Sequence, residues 1–149
     1  MRDFNRHELA STAWAYAALG HAAPALFDAI AAAAHQRLRD FTPLQLSNMA
    51  WAFAKLRHSA EGLLDAIASM ALPRLRDFKL QELENTTWAY EAAGIPAFLT
   101  AAESGGAAAR DESKRVSTSR EVSSGALRRN LLDAIEAEVK RREDRGEVD

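Results

Sequence analysis

The sequence predicts an all-α chain, an α-solenoid of tandem 37-residue helical hairpins with a disordered insertion before its last helix. Three observations carry that expectation. Trp14-Ala15-Tyr16 returns as Trp51-Ala52-Phe53 and again as Trp88-Ala89-Tyr90, so the three tryptophans of the chain stand 37 residues apart. Around them, Phe4, Phe41 and Phe78, Leu9, Leu46 and Leu83, and Ser11, Asn48 and Asn85 keep the same phase, and Leu26-Phe27-Asp28-Ala29-Ile30 answers Leu63-Leu64-Asp65-Ala66-Ile67. A fixed period of about 20 to 50 residues marks one supersecondary unit stacked on copies of itself. The third observation is a helix-start signal at the same place in each unit.

Asn5-Arg6-His7-Glu8 reads as a capping box, in which Asn5 covers orphan amides of the first turn and Glu8 reaches back to the cap. Phe4 and Leu9 form a hydrophobic staple across it. Thr42-Pro43-Leu44-Gln45 repeats the signal with proline at the first helical position, and Phe41 pairs with Leu46. Lys79 is a weaker cap, although Glu82, Phe78 and Leu83 remain. The first helix of each hairpin is therefore expected to begin near residues 5, 42 and 79. Gly20 and Gly94 end it, with Arg57 in their place in the second unit.

The second helix of the first hairpin is expected over about residues 24–38, and its copy over about 60–71 behind a Ser59 cap. Pro73 should end or kink that copy. In the third unit the second helix is missing after Phe98-Leu99, and residues 103–125, rich in Ser, Gly, Ala and charge, read as a disordered linker. Leu131-Leu132-Asp133-Ala134-Ile135 then looks like the delayed copy of Leu63 to Ile67. On the period Leu132 should stand at position 101, so about 31 residues are inserted. The expected organisation is a helical array over 1–102, with repeats near 2–38, 39–75 and 76–102, a linker over 103–125, and a C-terminal amphipathic helix over 126–145 that supplies the displaced second helix of repeat three. Charges of both signs alternate with Leu131, Leu132, Ile135 and Val139 along that helix, which either closes the array or binds a partner.

On a helical wheel Leu9, Thr12, Ala13, Tyr16 and Leu19 share one face of the first helix, and Trp14 projects roughly 140° from Leu9. Two apolar faces predict burial on two sides, with each indole read as a core plug wedged into the neighbouring repeat, against the alternative that the tryptophans stack nucleobases. The remaining arc, predicted to be exposed, carries Glu8, Ser11, Ala15 and Ala18, then Gln45, Asn48, Ala52 and Lys55, then Glu82, Asn85, Ala89 and Ala92.

Composition excludes several classes. The 149 residues are 48% apolar, enough for a core, and the formal charge is −2, so no global field draws the chain to nucleic acid or anionic lipid. Residues 1–100 hold nine Lys or Arg against ten Asp or Glu, and the remainder ten against eleven. With no cysteine there is no disulfide framework and no thiolate nucleophile. No run of about 18 apolar residues suggests a membrane span, and no targeting presequence is visible.

Nothing in the residue pattern points to catalysis, a cofactor or a metal. His7, His21, His35 and His58 lack an acidic or cysteine neighbour at ligand spacing and read as surface or loop histidines. Asp28, Asp65 and Asp133 recur in phase, so they point in parallel along a ridge instead of converging as a carboxylate pair would. The row Ser11, Asn48 and Asn85, one residue per repeat on the arc predicted to be exposed, is the most informative set. Repeats that read RNA one base at a time do so with two or three polar side chains each. The rival account is a ladder in which each amide binds a neighbouring repeat's backbone. Lys55 and Arg57, with Arg39, Arg74 and Arg76, stand where they could meet phosphates, and the pairs Arg2-Asp3, Arg39-Asp40 and Arg76-Asp77 read as turn salt bridges.

The pattern Asp-Phe-x-x-x-Glu/Gln-Leu-x-Asn-x-x-Trp-Ala-Tyr/Phe, followed by a Leu-x-Asp-Ala-Ile helix, resembles the heptatricopeptide and octotricopeptide repeats of organellar RNA metabolism. Similar arrays occur in RAP-domain proteins, FAST-kinase-like proteins and the trypanosome RNA-editing substrate-binding complex. The resemblance covers residues 2 to about 100. It implies a non-catalytic single-stranded RNA-binding adaptor of a mitochondrion or chloroplast, working with other subunits in RNA processing, stability or editing. The site residues it would use are Ser11, Asn48, Asn85, Lys55 and Arg57. The alternative is a protein–protein scaffold of the α-solenoid type.

Overall fold

In a computed structural model, the structure describes residues 3–94 and 112–147. Six α-helices are present among them, and no strand: α1 (Arg6–Ala18), α2 (Pro24–His35), α3 (Pro43–Lys55), α4 (Glu61–Ala71), α5 (Leu80–Ala93) and α6 (Glu112–Asp144). Single 3₁₀ turns, Leu38–Asp40 and Leu72–Asp77, follow α2 and α4. The second begins where Pro73 ends the α-helical pattern, as expected of a residue that cannot donate to the preceding turn.

Local chemistry sets the helix ends. Glu8 N–H donates to Asn5 Oδ1 (3.0 Å) and Asn5 N–H to Glu8 Oε2 (2.7 Å), and Thr42 and Gln45 make the same exchange at 3.3 and 3.1 Å. Lys79 has no acceptor to offer, so only the Glu82 half of the third box forms, Lys79 N–H donating to Glu82 Oε2 at 2.8 Å. Ser59 does not cap α4, whose N-cap position is Ala60. At the other end α1 and α3 close with one motif. His21 N–H donates to Tyr16 O and Gly20 N–H to Ala17 O, and His58 and Arg57 repeat this on Phe53 O and Ala54 O. These paired bonds need a left-handed residue just past the helix. Gly20 supplies it at φ 66°, and in α3 the residue is Arg57 at φ 51°.

The helices form two layers. In one, α3 lies between α1 and α5, and in the other α4 neighbours both α2 and α6. The core between them holds Leu9, Phe27, Ile30, Leu46, Phe53, Ile67, Leu83, Tyr90, Leu131 and Ile135. Within the first layer the buried flanks are mostly small: Ala10, Ala13 and Ala17 on α1, Ala50, Ala52 and Ala54 with Met49 on α3, Thr86 and Ala89 on α5. Ala52, Ala89 and Glu82, expected on the exposed arc, belong to these flanks and are buried. The wheel angles hold, but the side contacts need only alanine-sized groups.

One arginine bond recurs down the molecule. Arg37 Nη1 donates to Phe4 O at 2.9 Å, Arg74 Nη1 to Phe41 O at 3.0 Å and Arg142 Nη1 to Phe78 O at 2.7 Å. The separations are 33, 33 and 64 residues, and 64 − 33 = 31, the length of the insertion read from the sequence. Arg142 also reaches Leu75 O (3.1 Å) and Arg76 O (3.2 Å), and its Nε holds Glu138 Oε1 at 3.1 Å. The C-terminal half of α6 thus packs where a third second-helix is expected, with Leu131 and Ile135 buried. Among the described residues the turn pairs Arg39-Asp40 and Arg76-Asp77 form no ion pair, Arg2 of the pair Arg2-Asp3 lies outside them, and the arginines two places before Arg39 and Arg76 tie to carbonyls instead.

One expectation is corrected and another narrowed. The linker read over 103–125 is helical from Glu112 onward, while 103–111 lie outside the described residues, as does the segment after Gly94 where the second helix was missing. Extending a helix already nucleated by packing adds a hydrogen bond per residue without a new nucleus, which suits a segment with few breakers. His58 stands in a loop, as expected, but its side chain is only 16% exposed. Its ring packs on Phe27 (5.7 Å) and Phe53 (5.6 Å), and its Nε2 lies 2.8 Å from Asp28 Oδ1, joining the second hairpin to the first. Asp65 takes the corresponding partner from α6, Arg128 Nε at 3.1 Å.

Tyr90 is wholly buried, and its hydroxyl donates to Leu64 O. Burial pushes its phenol far above the usual range; the Arg128 guanidinium nearby acts the other way, and the Asp65 carboxylate adds to the rise. A raised phenol pKa means the unfolded chain loses its proton first, so stability falls as pH rises past about 10. Spectrophotometric titration of the native protein should show one of the two tyrosines ionising only as the helical signal is lost, and Tyr90→Phe should remove that late step. Replacing Arg57 with glycine relieves a left-handed side chain, and denaturant unfolding should show a gain of about 1 kcal/mol. Arg142→Met leaves the part-buried Phe78 carbonyl without its arginine donor and Glu138 with Arg141 alone, and should cost about 2 kcal/mol in the same assay.

Candidate nucleic-acid interface

The outward face of the first layer is set by helical spacing. Residues three and four apart share a helix face, so α1 presents His7, Ser11, Trp14 and Ala18, α3 presents Leu44, Asn48, Trp51 and Lys55, and α5 presents Gln81, Asn85, Trp88 and Ala92. The indoles are not core plugs. Trp14 is 48% exposed and Trp88 42%, while Trp51, flanked by both, is half-buried. Alanine-lined flanks bring the helices too close to admit an indole between them, so each ring stays outside and packs on the next.

The result is a ladder. Trp14 and Trp51 have ring centroids 6.4 Å apart at 32°, and Trp51 and Trp88 are 6.2 Å apart at 40°. The Lys55 ammonium stands 6.0 Å from both the Trp51 and the Trp88 centroids, within cation–π range. Leu44, 52% exposed, extends the apolar surface on the other side of Trp51.

Of the five residues predicted as the site, four fall on this face. Ser11 is exposed, Asn48 and Asn85 are half-buried, and Lys55 is exposed. The amide-ladder account fails, since neither asparagine bonds a neighbouring helix's backbone. Asn85 Oδ1 instead accepts from Gln81 Nε2 on its own helix at 3.2 Å, and Asn48 makes no hydrogen bond among the described residues. Arg57 stands apart, at the end of the layer, around a hollow of about 390 Å³ shared with His58, Ala92 and Ala93. Arg39 and Arg76 are exposed in the junction turns, and Arg74 is spent on Phe41 O.

Sequence reasoning ranked the tryptophans as core plugs above the alternative of exposed stacking groups, although a signal for exposure was present. Each stands three residues after the Ser11, Asn48 or Asn85 that was read as exposed, and i, i+3 neighbours cannot face opposite ways.

Chemically, the face offers aromatic surface, amide donors and acceptors, and one lysine. Among the described residues no three His, Asp or Glu gather as a metal site would require, and no helix is long and apolar enough to cross a membrane. Comparison with protein-family models, with curated proteins and with solved structures finds no match to this chain. Its class is therefore stated from the fold: an all-α protein with a tryptophan ladder on one layer.

Because Trp51 touches both other indoles, it alone couples the ladder. Trp51→Leu should flatten the tryptophan bands of the near-ultraviolet circular dichroism far more than Trp14→Leu or Trp88→Leu, while the helical signal persists.

Proposed function

We propose that this chain is an α-solenoid segment of 37-residue helical hairpins that binds single-stranded RNA without catalysis. The observation that carries the reading is the register of amides and indoles, one Ser or Asn and one Trp per helix along a single face. Proteins that hold single strands combine aromatic platforms, on which successive bases stack, with cations that follow the backbone. The rungs stand 6.2 to 6.4 Å apart, almost twice the ~3.4 Å between stacked bases in a helix. A duplex keeps its bases too close to match that interval, whereas a strand with its bases splayed can. Ser11, Asn48 and Asn85 would meet base edges, and Lys55 and Arg57 would meet phosphates. The resemblance to the repeats of organellar RNA metabolism supports the same ligand and a place in a mitochondrion or chloroplast, among other subunits that process, stabilise or edit RNA.

A second reading rests on a different observation. The face carries one lysine, and Leu44 continues the apolar surface of the indoles, a mixture that also suits a peptide or helix, since tryptophan is enriched in the energetic centres of protein interfaces.

Salt dependence separates the two. With two phosphate contacts, at Lys55 and Arg57, the logarithm of RNA affinity should fall with the logarithm of salt with a slope of about −1.4. Lys55→Glu combined with Arg57→Glu should weaken binding severalfold in a filter-binding titration and flatten that slope. No retention of any single-stranded RNA at low salt would leave the scaffold.

A further inference from the structure

We infer that the gap between the Trp51 and Trp88 indoles is a slot for one adenine nucleotide, the base entering between the rings and Lys55 taking its phosphate. The inference rests on the RNA reading above and narrows it to one position and one base.

The two gaps of the ladder have nearly the same ring spacing, 6.4 Å for Trp14–Trp51 and 6.2 Å for Trp51–Trp88. An aromatic plane held between two others needs about 6.8 Å, twice the ~3.4 Å of base stacking. These are centroid separations of rings that pack on each other at 32° and 40°, so an exposed outer ring must swing away toward parallel before a base can enter. Trp88 is such a ring, 42% exposed on the last helix of its layer, whereas Trp51 is half-buried and packed on the core. One wall is firm and the other can adjust.

The side chains around the gaps are not equivalent. Lys55 holds its ammonium at the second gap, 6.0 Å from each ring. The residue at its place beside the first gap is Ala18, 37 positions earlier. The ammonium rests where the ring faces are electron-rich, and a base inserted between them would displace it outward to where the nucleotide's phosphate emerges. Amides flank the second gap on both helices, Asn48 before Trp51 and Asn85 before Trp88, while the first gap has Ser11 on one side. Asn85 has its Oδ1 engaged by Gln81 (3.2 Å), which leaves its Nδ2 hydrogens to donate. Asn48, without a hydrogen-bond partner among the described residues, can both donate and accept. An amide that donates and accepts side by side matches the N7 and N6 edge of adenine, the pairing that asparagine makes with that base. A purine also covers more of each indole than a pyrimidine does.

Quenching of tryptophan fluorescence in the full chain tests this, with AMP, adenosine, r(A)5, r(U)5 and an r(A)5 bearing one abasic position as probes. AMP and r(A)5 should quench, with r(U)5 bound about tenfold more weakly, within the range expected for one stacked base. Trp88→Leu should lower r(A)5 affinity about tenfold and Trp88→Phe should largely restore it, while Trp14→Leu should cost less than about threefold. Lys55→Met should weaken AMP and leave adenosine unchanged. Thermal melts confirm that each variant is folded. If Trp14→Leu costs as much as Trp88→Leu, or r(U)5 binds as well as r(A)5, the adenine slot is wrong while RNA binding stands. If filter binding also detects no single-stranded RNA at low salt, both fail together.

Discussion

Close lateral packing of α1, α3 and α5 through alanine-width flanks is the constraint on which the molecule depends. Ala10, Ala13 and Ala17 on α1, Ala50 and Ala54 on α3, and Ala89 on α5 are all buried, and none projects far enough to hold the helices apart. Dense packing of such small groups gains dispersion contacts only when backbones approach closely. That approach leaves no interhelical space for an indole. The largest side chains of each repeat are driven onto the surface, where they still shed water by covering one another.

Polar ties make the packing specific. Arg37, Arg74 and Arg142 each donate to the carbonyl of a phenylalanine that stands just before the first helix of a pair, Phe4, Phe41 and Phe78. The Arg142 bond spans 64 residues and the other two 33 each, so the same tie forms across very different lengths of chain. Between hairpins the ties are carboxylates of the second layer, Asp28 with His58 and Asp65 with Arg128. His58 and His21 further cover the aromatic ring that closes their own helix, Phe53 and Tyr16. Hydrogen bonds from a charged guanidinium to carbonyls are among the stronger ones available to a folded chain.

Much of this was legible in the residues. Asn5 with Glu8 and Thr42 with Gln45 announce helix starts because the bonds are local, made within four residues. Gly20 and Gly94 announce stops for the same reason, and Arg57 is recognisable as their substitute only through the period. The displaced copy at Leu131 to Ile135 could be found because its apolar spacing repeats that of Leu63 to Ile67. Ser11, Asn48, Asn85 and Lys55 could be placed on one face from spacing alone. The burial of Ala52 and Ala89, the partial burial of His58 and the exposure of Trp14 could not, because each depends on how far the neighbouring helix stands.

The sequence by itself determined the all-helical class, the starts of α1, α3 and α5 and the row of small polar groups, since these follow from bonds and periodicities within a turn or two of each residue. Only the tertiary structure decided which side of that row the indoles take and which arginines close the hairpins. An amphipathic wheel ranks directions but contains no distance between helices, and it is that distance, set by alanines on separate helices, that turned three apparent core residues into a surface ladder.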